Sequence, residues 1–453
     1  MCGLKGWNHC VLQLVCHSHC ICWMYLECCA VLILDSVDKM RRLIAVSLAA
    51  LFMLASTPAT RAQEVEALAC PEVAIADPSS AVLDEHLSQS LSQAHQLATG
   101  AGVMVAVIDT GVSLHPRLPH LIPGGDFVGA HQSPDVPGEL IDCDGHGTIV
   151  AGIIASQGNP GTGWPYDGSS DPYIGVAPDS GIISIKQTSS YVRTREDSNV
   201  GTLSTLAESI HRALDSGAHV INISVVSCLP QSPDEAASFQ PLTDALNRAE
   251  LQGVIVVAAA GNLGQDCPVG STVYPAHSDT VLSVSARFDS HTLAEYSMPG
   301  NQQILSAPSH IQAGLSPRGD GFASHMITTA GESPFEGTSF AAPVVSATAA
   351  LLRQHFPFAT PYEIRARIFN SIDPARGAID PYLALTQEIY PTTPLVHEIA
   401  LSVPTPPDDS PRERGILVTA IIVGLLAVLA VLMGLRRIHH HSAFQKASSS
   451  VIT

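Results

Sequence analysis

Five short runs rich in β-branched residues, at 103–108, 182–185, 220–225, 254–259 and 281–284, narrow the possible folds more than anything else in the chain. Each is apolar at nearly every position, whereas a strand with one wet face alternates apolar and polar residues. Such runs suit strands buried on both faces, and parallel strands joined by crossover helices are the usual way to cover them. Helical stretches separate the runs, at 202–216, 241–252 and 339–355. The pattern predicts an α/β domain, a mostly parallel central sheet between two helical layers, with functional groups at the carboxyl ends of the strands.

Polar residues interrupt this apolar pattern at four informative places. Asp109 ends the first run in Val107-Ile108-Asp109-Thr110-Gly111, so its carboxylate emerges at a strand's carboxyl edge. His146 stands in Asp144-Gly145-His146-Gly147-Thr148, where flanking glycines allow close approach and the apolar stretch 149–154 continues as a helix. Ser339 follows Gly337-Thr338 and opens a helix whose Pro343 is expected to hold the helix start close by. Asn262 ends Ala260-Gly261-Asn262 just after a buried run, where its amide could donate to an oxyanion. Taken singly, these are a turn or cap Asp, a structural His, a helix-capping Ser and a Gly-Asn turn. Taken together, a carboxylate, an imidazole and a hydroxyl are the parts of an acyl-transfer triad, with the helix amino terminus beside the hydroxyl suited to a developing negative charge.

Charge and cysteine usage bound the setting. A net charge of -19 argues against nucleic acid as a partner, because displacing counterions from a polyanion needs clustered Lys and Arg. Seven of eleven cysteines fall within the first 29 residues, and Cys70, Cys143, Cys228 and Cys267 remain. Four cysteines in an exported domain suggest two disulfides, with three possible pairings.

The two ends read as membrane-directed. Met40-Arg41-Arg42, the apolar run 43–54 and the small-residue pattern ending at Ala62 have the form of a secretory signal at 40–62, so Met40 is the expected start and 1–39 an upstream extension. Residues 415–435 are uncharged and dominated by Ile, Leu, Val and Ala; 21 residues at ~1.5 Å each cover the ~30 Å hydrocarbon layer, which predicts one C-terminal transmembrane helix. Arg436 and Arg437 put the tail 436–453 in the cytoplasm, which leaves the catalytic body outside the cell membrane on a single-pass anchor. The proline-rich stretch 389–414 reads as a stalk, and 158–171 as a surface loop.

The four polar blocks, in the chain order Asp, His, Asn and Ser, resemble the subtilisin-like serine proteases, the subtilases, over about 102–385, within an expected peptidase domain of 102–388. The stretch from Asp109 to Pro119, then Gly124-Gly125-Asp126-Phe127-Val128, then 183–189, with a C-terminal transmembrane helix, resembles the mycosins, membrane-anchored subtilases of type VII secretion. The resemblance implies a subtilisin-like three-layer fold, with Asp109 orienting the base, His146 as base and acid, Ser339 as nucleophile and Asn262 as oxyanion donor. It also implies pairings Cys70–Cys143 and Cys228–Cys267, and makes 63–101 an extension wrapping the catalytic domain. No cofactor or metal is implied.

The chain departs from the family in two places. Along the substrate-binding strand, Ser224-Val225-Val226-Ser227 stands where other subtilases carry glycines, so a narrower pocket is expected. No calcium loop is evident, and Asp135, Glu139, Asp142 and Asp144 read as a solvated surface segment. The expected function is endoproteolysis of type VII secretion substrates, with protein substrates and the secretion membrane complex as partners. The alternatives are a structural part of that complex independent of proteolysis, and a general degradative subtilase.

Overall fold

The computed structural model describes residues 65–77, 85–130, 133–158, 173–194, 200–229, 239–289, 292–300, 304–373, 377–388 and 415–433. The upstream extension, the signal segment, nearly all of the 158–171 loop, the stalk from 389 and the tail lie outside them. Two compact units are distinguished, 1–389 and 390–453.

In the first unit, seven strands form the central sheet: β3 (Met104–Asp109), β4 (Leu121–Asp126), β5 (Gly181–Lys186), β7 (Val220–Ile223), β9 (Ile255–Ala259), β11 (Val281–Arg287) and β12 (Ser306–Pro308). Their order is β12-β11-β9-β7-β3-β5-β4, and every pairing is parallel. The order reverses direction at β3, so a crevice opens beside its carboxyl end, where open α/β sheets place their sites.

The near-continuous apolar runs follow from this burial. Val105 and Val107 of β3 face one core, while Ala106 and Ile108 face the other. Each fully buried aliphatic side chain contributes about 1.5–3 kcal/mol. The first core is closed by α1 (Glu85–Ala94), α2 (His146–Ala155), α5 (Thr338–His355), α6 (Pro361–Asn370) and α7 (Pro381–Thr386). The second is closed by α3 (Leu203–Asp215) and α4 (Gln240–Leu251). Thr202 starts α3 with a capping box completed by Thr205, and Thr360 starts α6 with one completed by Glu363.

Two edge strands were not legible as apolar runs. In β4, Pro123-Gly124-Gly125 carries an irregularity against β5, which is tolerated because an edge strand needs ladder bonds on one side only. β12 is three residues long. A second, antiparallel sheet of β13 (His310–Ile311), β14 (Gly314–Leu315), β15 (Phe322–Thr328) and β16 (Gly331–Glu336) was also missed: β13 and β14 are two residues each, β16 is largely exposed, and the seven residues of β15 do not alternate apolar and polar strictly.

The segment ahead of the central sheet is built into the body. β1 (Val65–Ala67) pairs with β6 (Val192–Thr194), and β2 (Glu72–Ala76) pairs with β15. Cys70 is bonded to Cys143, and Cys228 on β8 (Ser227–Leu229) to Cys267; β8 pairs in turn with β10 (Thr272–Tyr274). In the second unit, α8 (Gly415–Met433) has a mean hydropathy of 3.1 and is long and apolar enough to cross a bilayer.

Candidate active site

Asp109 is the last residue of β3 and has no solvent exposure. Its Oδ1 lies 2.6 Å from Nδ1 of His146, the first residue of α2, and also accepts the backbone N–H of Thr110 at 2.8 Å. Gly147 makes this approach possible: a Cβ there would fall 2.0 Å from the carbonyl of Gly111. Burial opposes a charge on His146, but the carboxylate of Asp109, helped by Asp142 and Asp144, outweighs it and raises the imidazole above its ordinary value.

Ser339 is the second residue of α5, and the ring of Phe340 just after it lies 4.9 Å from the His146 ring. The Ser339 hydroxyl donates to the carbonyl of Ser224 at 2.9 Å. In free hydrolases the bond from nucleophile to base commonly tightens only when substrate binds. Pro343 is the sixth residue of the helix, a turn deeper than the sequence suggested. Lacking an N–H, it leaves the carbonyl of Ser339 without its helical partner, and the Ser224 hydroxyl takes that place at 2.7 Å. Ser224 therefore hooks Ser339 at both its carbonyl and its hydroxyl.

The hook is itself held from the core. Asn222, fully buried on β7, donates to Ser224 Oγ at 2.9 Å and accepts from Ser346 Oγ at 2.8 Å. The sequence signal for it was a polar residue inside a run buried on both faces. Asn222→Val should cost ~2–4 kcal/mol by leaving the buried Ser346 hydroxyl without its acceptor and Ser224 Oγ without its donor, and adding Ser346→Ala should recover part of that loss. Denaturant unfolding measures both; a single-variant cost below ~0.5 kcal/mol would contradict this role for the network.

Asn262 lies exposed beyond β9, and its Oδ1 accepts the N–H of Thr338 at 3.0 Å and its hydroxyl at 2.9 Å. Those two bonds turn Nδ2 toward Gly337, where a Cβ would come within 2.9 Å of it. Gly337 has φ 142°, so glycine serves both its conformation and the space beside the amide. Val225 and Val226, past the end of β7, are half-buried.

The acidic segment does not read as the sequence suggested. Asp135 is exposed, but Asp142 is fully buried, and Asp144 accepts from Ser189 Oγ at 2.6 Å and Ser190 N at 2.7 Å. Donors from the first turn of α2 and from the distant Thr110, Ser189 and Ser190, invisible to local composition, pull these carboxylates inward. Burial, reinforced by Asp144, pushes the Asp142 carboxyl up to about 6 against the opposing hydrogen bonds of Thr148 and Thr110.

A sequence profile described as the subtilase family matches residues 100–389. The chain belongs to the subtilase family. This subtilase is 35% identical over 373 residues to mycosin-4 of Mycobacterium tuberculosis, an alignment covering 76% of this chain and 78% of that one. Among solved structures it resembles MycP1 from the ESX-1 type VII secretion system, with a TM-score of 0.62 and 32% identity over 72% of this chain and 92% of that one. It also resembles a chain of an intact ESX-5 inner membrane complex, with a TM-score of 0.63 and 32% identity over 82% of this chain and 96% of that one. The subtilase is accordingly a subtilisin-like serine protease with mycosins among its relatives.

Proposed function

We propose that Asp109, His146 and Ser339 are the catalytic triad of a membrane-anchored endopeptidase that acts on proteins of a type VII secretion system. The observation that carries this reading is the 2.6 Å bond between a fully buried Asp109 and His146, whose ring packs against the residue following Ser339. With substrate bound, the Ser339 hydroxyl turns from the Ser224 carbonyl to the free nitrogen of His146, gives up its proton and attacks the scissile carbonyl. Nδ2 of Asn262 and the N–H groups opening α5 stabilise the oxyanion, while Asp109 holds the imidazolium. His146 then protonates the leaving amine, and water releases the acyl group by the same steps in reverse.

Ser224, Val225 and Val226 line the path of the substrate backbone, and residues 63–101 are an integral extension of the 102–388 peptidase domain. The anchor is α8, oriented by the signal segment 40–62 and by Arg436 and Arg437 so that the catalytic body is extracytoplasmic.

A fluorophosphonate label followed by peptide mapping tests the triad. Ser339 should be the labelled residue, and because His146 must be neutral to act as base, the labelling rate should fall as pH drops through its raised value. Label appearing elsewhere, or at a pH-independent rate, removes the assignment. A scaffolding role is the second reading, favoured by the match to a chain of the ESX-5 inner membrane complex.

A further inference from the structure

We propose that Asp142 is a positioning residue of the hydrolytic centre, whose buried carboxylate ties the end of β3 to the first turn of α2 and so keeps His146 aligned on Asp109. The proposal rests on the triad reading above. The position of the side chain already sets it apart from an ordinary surface acid, since a lone carboxylate is costly to bury unless donors surround it.

Four donor atoms converge on it. Oδ1 accepts from Thr110 Oγ1 and Gly145 N, both at 2.9 Å, and Oδ2 accepts from Thr148 N at 2.8 Å and Thr148 Oγ1 at 2.6 Å. These donors belong to the residue after Asp109, the residue before His146 and the second residue after it. Thr110 extends the tie: its N–H is bonded to Asp109 Oδ1, and its hydroxyl oxygen accepts the N–H of Gly147 at 3.0 Å. Thr148 Oγ1 likewise accepts the N–H of Ser113 at 3.0 Å. One carboxylate therefore sets the separation of the two elements that carry the Asp109–His146 pair.

Its charge has a second consequence. The charged groups around it are Asp109 of β3, reached through the Thr110 hydroxyl, Asp144 of its own loop, His146 of α2, Lys186 of β5, bonded to the neighbouring Ile141 carbonyl, and Arg318 ahead of β15. Arg318 spends its guanidinium on the backbone carbonyls of Asp142 and Cys143, at 2.6 and 2.7 Å, and Lys186 Nζ donates to the carbonyl of Ile141 at 2.7 Å. Neither bonds the Asp142 carboxylate, which thus adds to Asp109 and Asp144 in favouring a positive His146. Its place at the amino-terminal turn of α2 is favourable to the negative charge.

The test is the second-order rate of fluorophosphonate labelling of Ser339 across about pH 5 to 9, for the full chain and for Asp142→Asn. Asparagine keeps the shape but turns an N–H₂ toward donors and removes the charge. The expected result is a plateau rate lower by ~10–100-fold, as misplacement of the base predicts, together with an acid limb moved to lower pH. A plateau within about twofold of wild type, or an acid limb that stays put, overturns the proposal, since a purely structural residue would not move that limb. Failure of the wild type itself to label at Ser339 sinks the triad reading and this proposal with it, whereas a labelled wild type with an unaltered variant sinks this proposal alone. Should Asp142→Asn not fold by thermal melting, Thr148→Val keeps the charge and removes the 2.6 Å bond. A plateau loss of about tenfold is then expected, and a rate within about twofold of wild type overturns the role.

Discussion

Ser339→Ala should lower kcat by ~10⁶-fold, the scale on which deletion of a triad nucleophile acts, while the protein still folds. The hydroxyl makes a single bond, to the Ser224 carbonyl, so its loss costs only about 1 kcal/mol of stability. The Ser339 carbonyl keeps its bond from Ser224, and Pro343 still shapes the helix around it. Cleavage of a labelled peptide alongside thermal unfolding separates the two effects, and turnover near the wild-type rate would refute the nucleophile. The same variant also divides the two readings of function. If secretion and assembly of the membrane complex persist without turnover, the protein serves as a scaffold independently of proteolysis; if assembly or secretion fails in the folded variant, that scaffold reading is refuted and catalysis is the contribution required.

Asn262→Asp should lower kcat by ~10²–10³-fold, or about 3–4 kcal/mol of transition-state stabilisation, with a much smaller change in KM. Aspartate retains the oxygen that accepts from Thr338 N and Oγ1, so the turn and the start of α5 keep their bonds. What disappears is the Nδ2 donor beside Gly337, replaced by an anion that repels the oxyanion. Alanine would be a less informative replacement, because it removes the acceptor as well and disturbs Thr338. A kcat within about threefold of wild type would show that the amide is not an oxyanion donor.

How much of this was legible in the chain varied with the range of the interaction involved. The five core strands were readable because burial on both faces leaves a local signature, apolar residues at successive positions. The helices α3, α4 and α5 lie within a residue or two of the stretches 202–216, 241–252 and 339–355 that separate the apolar runs. β4 was hidden by its Pro-Gly-Gly, and the antiparallel sheet by strands with too little apolar alternation. Asp142 was misread because its acidic neighbours suggested solvent, while the donors that bury it come from Thr110 and Thr148 as well as its own loop. Asn222 was visible as a polar break in an apolar run, but its partner Ser346 is 124 residues away.

The amino-acid order alone determined the class of sheet and the helices α2 to α5, and singled out Asp109, His146, Asn262 and Ser339 as candidate site residues, since each depends on residues a few positions apart. Tertiary structure decided which groups meet: Asp109 with His146, Ser224 with Ser339, Asn262 with Thr338, and Asp142 with its converging donors. Hydrogen bonds reach about 3 Å and carry no record along the chain of where their partners lie. Only the packing of α2 and α5 against the carboxyl ends of the strands brings those atoms within that range.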